Sequence, residues 1–210
     1  MGAWWRMLFV DYAMFRWFFN LREEFAPGVY RSGHPMPYQL RGAARAGVKT
    51  VLSLRAPDAD LASNRLEWDA ARRVGMKVVH LPLASREAPS AEDVLGLVAA
   101  FQQLDHPLWI HCKSGADRVG FAAAVYRLAV LGRPIEDARR QLCFWWHGHV
   151  RQARTGILDT VLACYAQANA RQPVSFVDWV RTGYNRDAIR RAFRARWWAG
   201  VLVDRLLRRE

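Results

Sequence analysis

Lysine is nearly missing from this 210-residue chain. Lys49, Lys77 and Lys113 are the only three, and every other one of the 31 basic side chains is arginine. Cysteine is equally scarce: Cys112, Cys143 and Cys164 are too few and too scattered for a disulfide framework. No Cys-x-x-Cys pair or Cys/His cluster of ligand spacing occurs, so neither a metal nor another cofactor is expected. A reducing compartment, the cytoplasm, suits such a chain, and one special thiol is compatible with it.

A long uninterrupted apolar run is also absent. The stretch from Ala3 to Phe19 comes closest, but Arg6, Asp11 and Arg16 interrupt it. A bilayer-crossing helix needs about 20 residues with few charges. The stretch also lacks the cationic start and small-residue cleavage site of a secretory signal. On a helix of about 100° per residue the three charges scatter, leaving a surface that is apolar nearly all round. Such a segment packs on its own domain, on an oligomeric partner, or in a membrane interface.

Acidic residues are the third shortage, 19 against 31 basic ones, for a net charge of +12. That excess favours anionic partners, either phosphorylated substrates or an anionic membrane surface. No nucleic-acid-binding module is present to make nucleic acid a partner. What the chain does have is apolar content, 52% of its residues, enough to bury one substantial core. Nothing in it sets an oligomeric state.

Short β-branched runs alternate with helical patterns. Strands are predicted at Val29–Ser32, Lys49–Leu54, Lys77–Leu83 and Pro107–His111. Helices are predicted near Pro37–Ala46, Leu61–Val74 and Ala91–Leu104, the last opened by Ser90 with Asp93 three residues on. After Arg118 the strand signals stop, and helices are predicted at Val119–Leu131, Pro134–Trp146 and Thr155–Ala168. The expected fold is α/β: a single domain with a central, mostly parallel sheet flanked by helices and a helical C-terminal half. The expected organisation is an aromatic N-terminal helical segment over 1–26 and a catalytic domain over 27–170. A linker and a basic amphipathic helix follow over 171–210, where eight arginines lie between Arg186 and Arg209.

The chemistry concentrates in Trp109-Ile110-His111-Cys112-Lys113-Ser114-Gly115-Ala116-Asp117-Arg118-Val119-Gly120. A cysteine six residues before an arginine means little in so arginine-rich a chain. His immediately before that cysteine and Gly three after it make the pattern specific. Five residues between a strand and a helix can curl so that backbone N–H groups point inward and form an anion nest. The helix adds its positive N-terminal end. A phosphate seated there lies above Cys112 Sγ, and the same dipoles favour thiolate over thiol. Arg118 can clamp two phosphoryl oxygens with its planar fork. Lys113, Ser114, Gly115 and Ala116 complete the cradle, with Gly115 permitting a positive φ.

These residues resemble the signature of the protein tyrosine phosphatase superfamily, His-Cys, five residues, then Arg. The segments Tyr30-Arg31-Ser32-Gly33 and Val48 to Arg55 are similar to its compact dual-specificity branch. The resemblance spans roughly Pro27 to Tyr165. It implies a phosphate monoester hydrolase that forms a phosphocysteine on Cys112, without a metal, on phosphoprotein, phosphoinositol or phospholipid head groups. Family members usually carry Ser or Thr where Val119 stands, a hydroxyl that assists the departing thiolate, so slow breakdown of the intermediate is implied. Many relatives also use a loop aspartate as general acid. Here Glu87, in Ala84-Ser85-Arg86-Glu87-Ala88-Pro89, is the loop candidate. Asp117 is its rival, because an acid inside the signature loop takes this role in some lipid-directed branches.

Plainer readings compete. His111 is expected to support the loop by hydrogen bonding, and Arg55, ending a strand, either lines the substrate side or braces the scaffold. The Trp145-Trp146 pair is expected in the core or at a helix-packing surface, and His149 in a turn near a helix end. The Arg-rich tail is expected either to pack on the domain or to meet an anionic membrane at its inner face. Two other functions remain open: a rhodanese-like sulfurtransferase, and a catalytically weak phosphate-binding or membrane-tethered scaffold.

Overall fold

The computed structural model describes residues 23–151 and 154–194. The aromatic stretch before Glu23 and the tail beyond Arg194 therefore lie outside the described residues, as do the helical expectations placed on them. Five strands form one sheet: β1 (Glu23–Ala26), β2 (Val29–Ser32), β3 (Thr50–Ser53), β4 (Lys77–His80) and β5 (Leu108–His111). Their spatial order is β1-β2-β5-β3-β4. β1 pairs antiparallel with β2, and all other pairings are parallel.

The parallel strands are joined by helical crossovers: α1 (Pro37–Arg45), α2 (Ala62–Arg73) and α3 (Ala91–Gln103). Ser90 caps α3 as expected, accepting from the Asp93 N–H while the Asp93 carboxylate accepts from the Ser90 N–H. Beyond β5 the chain is helical: α4 (Asp117–Ala129), α5 (Ile135–Arg139), α6 (Phe144–His147), a 3₁₀ turn (Arg154–Gly156), α7 (Ile157–Arg171) and α8 (Phe176–Thr182). Residues 186–194 are helical again.

Four sequence expectations need correction. Glu23–Ala26 is a strand and not the end of a helical segment, because Gly28, at φ +69°, reverses the chain onto β2. The helix predicted over Pro134–Trp146 is two short helices, separated by residues that turn inward at Gln141 and Leu142. The stretch after residue 171 is not simply linker: Phe176, Trp179, Val180 and Ile189 join the core that contains Leu97, Phe121 and Val161. Trp145 and Trp146 lie in neither core nor packing surface; they are 86% and 74% exposed.

In the parallel register Ser32, His111, Ser53 and His80 stand abreast at the C-terminal ends of β2, β5, β3 and β4. The loops after these strands consequently share one edge of the sheet, where open α/β sheets form their ligand crevice. α4 is the central element behind that edge. Its residues from Val119 to Val125 are all buried.

Candidate active site

The loop from Cys112 to Ala116 joins β5 to α4. Cys112 is 1% exposed at its floor, and the Gly115 N–H donates to Cys112 Sγ over 3.3 Å. Gly115 has φ +83°, and a Cβ there would lie 2.5 Å from the Gly33 nitrogen and 2.8 Å from the Ser32 carbonyl carbon. Only glycine lets the loop curl this tightly against the end of β2.

The start of α4 is built differently from that of α3. Its N-cap is Ala116, which has no side chain to cap with, whereas α3 and α8 are capped by Ser90 and Ser175. A helix start without a side-chain cap can receive an incoming anion on its first-turn N–H groups. Lys113 and Ser114 are exposed at the rim, and Asp117 and Arg118 are half-buried. Arg118 Nη1 donates to the Leu54 carbonyl over 3.1 Å, which ties the clamp to the end of β3.

Beneath the loop lies a buried polar cluster. His111 Nδ1 is 3.2 Å from the Cys112 carbonyl, which can only accept, so this nitrogen donates. Its Nε2 faces the Glu67 carboxylate, 2.6 Å from Oε1. His34 Nδ1 receives a hydrogen bond from Arg55 Nη1 over 2.9 Å, because a guanidinium cannot accept. His34 Nε2 then donates to the Ser63 carbonyl over 3.1 Å. His34, Glu67 and His111 each offer a ligand atom within 4.8 Å of the others, the one such group among the described residues. Both His34 nitrogens are already hydrogen-bonded, however, and the Arg55 cation is in contact. The cluster suits a brace under Cys112 better than a metal site. Arg55 belongs to this brace, 7% exposed, and does not line the substrate side.

Sequence reasoning did not single out Glu67, and it missed the parts that Arg31 and His149 play. Arg31 is 2% exposed; its Nη2 donates to the Gly115 carbonyl over 3.0 Å and its Nη1 to Gln141 Oε1 over 2.9 Å. Burial pushes its guanidinium down to about 10, against the opposing pull of Glu23 and of Cys112. An arginine inside a strand was the available signal. Glu67 sits on α2 among residues that read as a surface helix, and no local pattern marks it.

His149 is buried between two carboxylates, with Nδ1 2.7 Å from Asp117 Oδ1 and Nε2 2.6 Å from Asp159 Oδ2. Burial opposes its charged form, but hydrogen bonds to Asp117 and then Asp159 outweigh that and hold the imidazolium up to about 9. The folded state binds this proton more tightly than the unfolded chain, whose histidine titrates near 6.5. The resulting stabilisation is complete below pH of about 6.5 and is lost as pH rises through about 9. Thermal melts should therefore show the protein losing up to about 3 kcal/mol between pH 6 and pH 10. His149→Gln should flatten that slope, and an equally steep slope in the variant would contradict the assignment.

The two candidate acids are held apart. Asp117 opens α4 within the loop and is bound to His149. Glu87 is exposed after β4, with Oε2 3.2 Å from Arg186 Nη2 and 2.9 Å from Arg190 Nη2. These two arginines come from helical residues 186–194, the start of the basic tail, which is thereby attached to the domain through Glu87 and buried Ile189. Val119 is fully buried in the same apolar cluster as Cys112.

Dual specificity protein phosphatase TpbA of Pseudomonas aeruginosa (strain UCBPP-PA14) is 34% identical over 109 residues, 51% of this chain and 46% of TpbA. The chain thus spans about half the length of the curated relatives it matches. A crystal structure of P. aeruginosa TpbA, a Cys-to-Ser variant in complex with phosphotyrosine, superposes with a TM-score of 0.54 at 25% identity. It covers 74% of this chain and 85% of that one. Tk-PTP shares the fold at a TM-score of 0.54 and 19% identity, over 70% of this chain and 97% of its own. Residues 21–152 match the family model described as DSP-PTPase phosphatase fused to NAD+ kinase, and the chain belongs to that phosphatase family.

Proposed function

We propose that the protein hydrolyses phosphate monoesters through a phosphocysteine on Cys112. The observation that carries this reading is the Cys112 sulfur under the Gly115 N–H, at the foot of a helix whose N-cap is alanine. The thiolate attacks phosphorus, so an S–P bond forms as the ester P–O bond breaks, and the leaving oxygen takes up a proton. Water then attacks phosphorus, the S–P bond breaks, and inorganic phosphate and the thiolate are released. Loop N–H groups and Arg118 hold the phosphoryl oxygens through both displacements.

Asp117 is the better-placed proton donor. It is the first residue of α4, directly after the cradle, whereas Glu87 lies in the exposed loop after β4, paired with two arginines of the 186–194 helix. Proton donation matters most for poor leaving groups. Asp117→Asn should slow an alkyl phosphate at least about tenfold more than an aryl phosphate. Glu87→Gln should treat the two alike. The opposite pattern would return the role to Glu87.

Membership of a phosphatase family favours phosphoryl over sulfur transfer. Release of phosphate from an aryl ester by the reduced protein tests this directly, and thiosulfate sulfurtransferase activity without it would reverse the reading. Tight phosphate binding without turnover would favour the scaffold. Phosphorylated protein, inositol and lipid all remain substrates of suitable chemistry, since each presents the same dianion to the loop. Among the described residues no helix is long and apolar enough to cross a membrane. Peripheral attachment at the inner face of a membrane, from a cytoplasmic location, is the arrangement we favour for a chain of this charge.

A further inference from the structure

α6 is the most exposed apolar feature among the described residues. Phe144, Trp145 and Trp146 are 57%, 86% and 74% exposed, and Val150 beyond them is also exposed. The Phe144 and Trp145 rings stack edge-on at 5.5 Å. Leaving such aromatic area in water is unfavourable, and exposed apolar patches of this kind mark interaction sites.

The back of this segment is fixed to the catalytic loop's surroundings. Gln141 holds Arg31, which holds the Gly115 carbonyl. His147 Nε2 is 2.8 Å from Glu23 Oε2 at the edge strand, and His149 is bound to Asp117 at the start of α4. The three aromatic side chains are thus carried outward by a segment anchored on both sides to the phosphate cradle.

Two observations identify the occupant. Three consecutive helical positions fan over about 200° of the helix. A protein groove takes residues at i, i+3 and i+4 from one face, so it would leave part of this fan in water. A bilayer interface accepts all three at once, and suits indole, with its apolar body and polar N–H. The charge around the patch is also complementary to anionic lipid. In sequence it is bracketed by exposed Arg133, Arg139, Arg140, Arg151 and Arg154, of which Arg151 is paired with Asp159, against Glu136, the Glu23 that meets His147, and an Asp137 already paired with Arg127.

We infer that α6 docks the protein on an anionic bilayer surface, presenting the Cys112 loop to phosphate monoesters on lipid head groups. This rests on the phosphatase reading for its catalytic half, but the docking half stands on α6 alone.

The test uses the full chain and the double variant Trp145→Ala/Trp146→Ala with phosphatidylcholine vesicles, with and without phosphatidylglycerol. Partition onto the anionic vesicles should fall by about tenfold or more in the variant. Turnover of phosphatidic acid embedded in those vesicles should fall in parallel, while a soluble aryl phosphate is hydrolysed at the parent rate. Equal partition of the two proteins would overturn the inference. So would a variant that loses activity on a soluble phosphotyrosine peptide but still partitions normally, since α6 would then be a peptide dock. If the parent hydrolyses no aryl phosphate, the catalytic reading fails, and the partition experiment still decides the docking surface.

Discussion

Cys112→Ser is expected to lower phosphate release from an aryl phosphate by roughly four orders of magnitude or more, with the fold intact. Serine fills nearly the same volume at this buried site, so core packing around Val119 and Ile110 should survive. What disappears is the nucleophile. The Gly115 N–H points at that sulfur, beside the start of α4. A hydroxyl in the same place stays protonated at neutral pH. Phosphate should still bind, because Arg118 and the backbone donors are untouched. Steady-state release of phosphate, together with a binding measurement on the variant, checks both halves. Residual activity within about tenfold of the parent would mean the sulfur is not the attacking atom.

The second large effect falls on Arg31, which no part of the reaction touches. Arg31→Met should destabilise the protein by about 3 kcal/mol, because it strands the part-buried Gly115 carbonyl and the buried Gln141 Oε1 together. Where the variant is still folded, turnover should fall at least about tenfold, since the loop loses the donor that fixes Gly115. Arg31→Lys should recover little of either, as one ammonium cannot span both the Gly115 carbonyl and the Gln141 side chain. Chemical denaturation and turnover at low temperature separate the two effects. A destabilised variant with undiminished turnover would show that Arg31 serves the fold and not the loop.

Much of the architecture was legible because it depends on short-range signals. β2 begins and ends where the run predicted at Val29–Ser32 does, and the other three parallel strands lie within the predicted runs. The Cys-led loop was legible because its chemistry needs fixed residue types at fixed spacing. β1 was not, since Glu-Glu-Phe-Ala carries no strand preference and becomes a strand only by pairing with β2.

The polar brace was hidden for a related reason. Glu67 and His111 lie 44 positions apart in numbering and meet only because folding brings the Glu67 side chain of α2 to the end of β5. His149 looked like a turn residue beside Gly148, and only folding places Asp117 and Asp159 on either side of it. The tryptophans of α6 failed in the opposite sense. Hydrophobicity placed Trp145 and Trp146 inside, yet the anchors at Gln141, His147 and His149 turn them outward.

The most direct test of the account is to trap the intermediate. Val119 offers no hydroxyl to the departing sulfur, so breakdown should lag formation and the adduct should accumulate during turnover. Acid quenching within the first turnovers on an aryl phosphate, followed by peptide mass analysis, should find one added phosphoryl group on the peptide that contains Cys112. The same group should be absent from Cys112→Ser. Turnover that leaves Cys112 unmodified, or that places the phosphoryl group on another residue, would contradict the phosphocysteine mechanism.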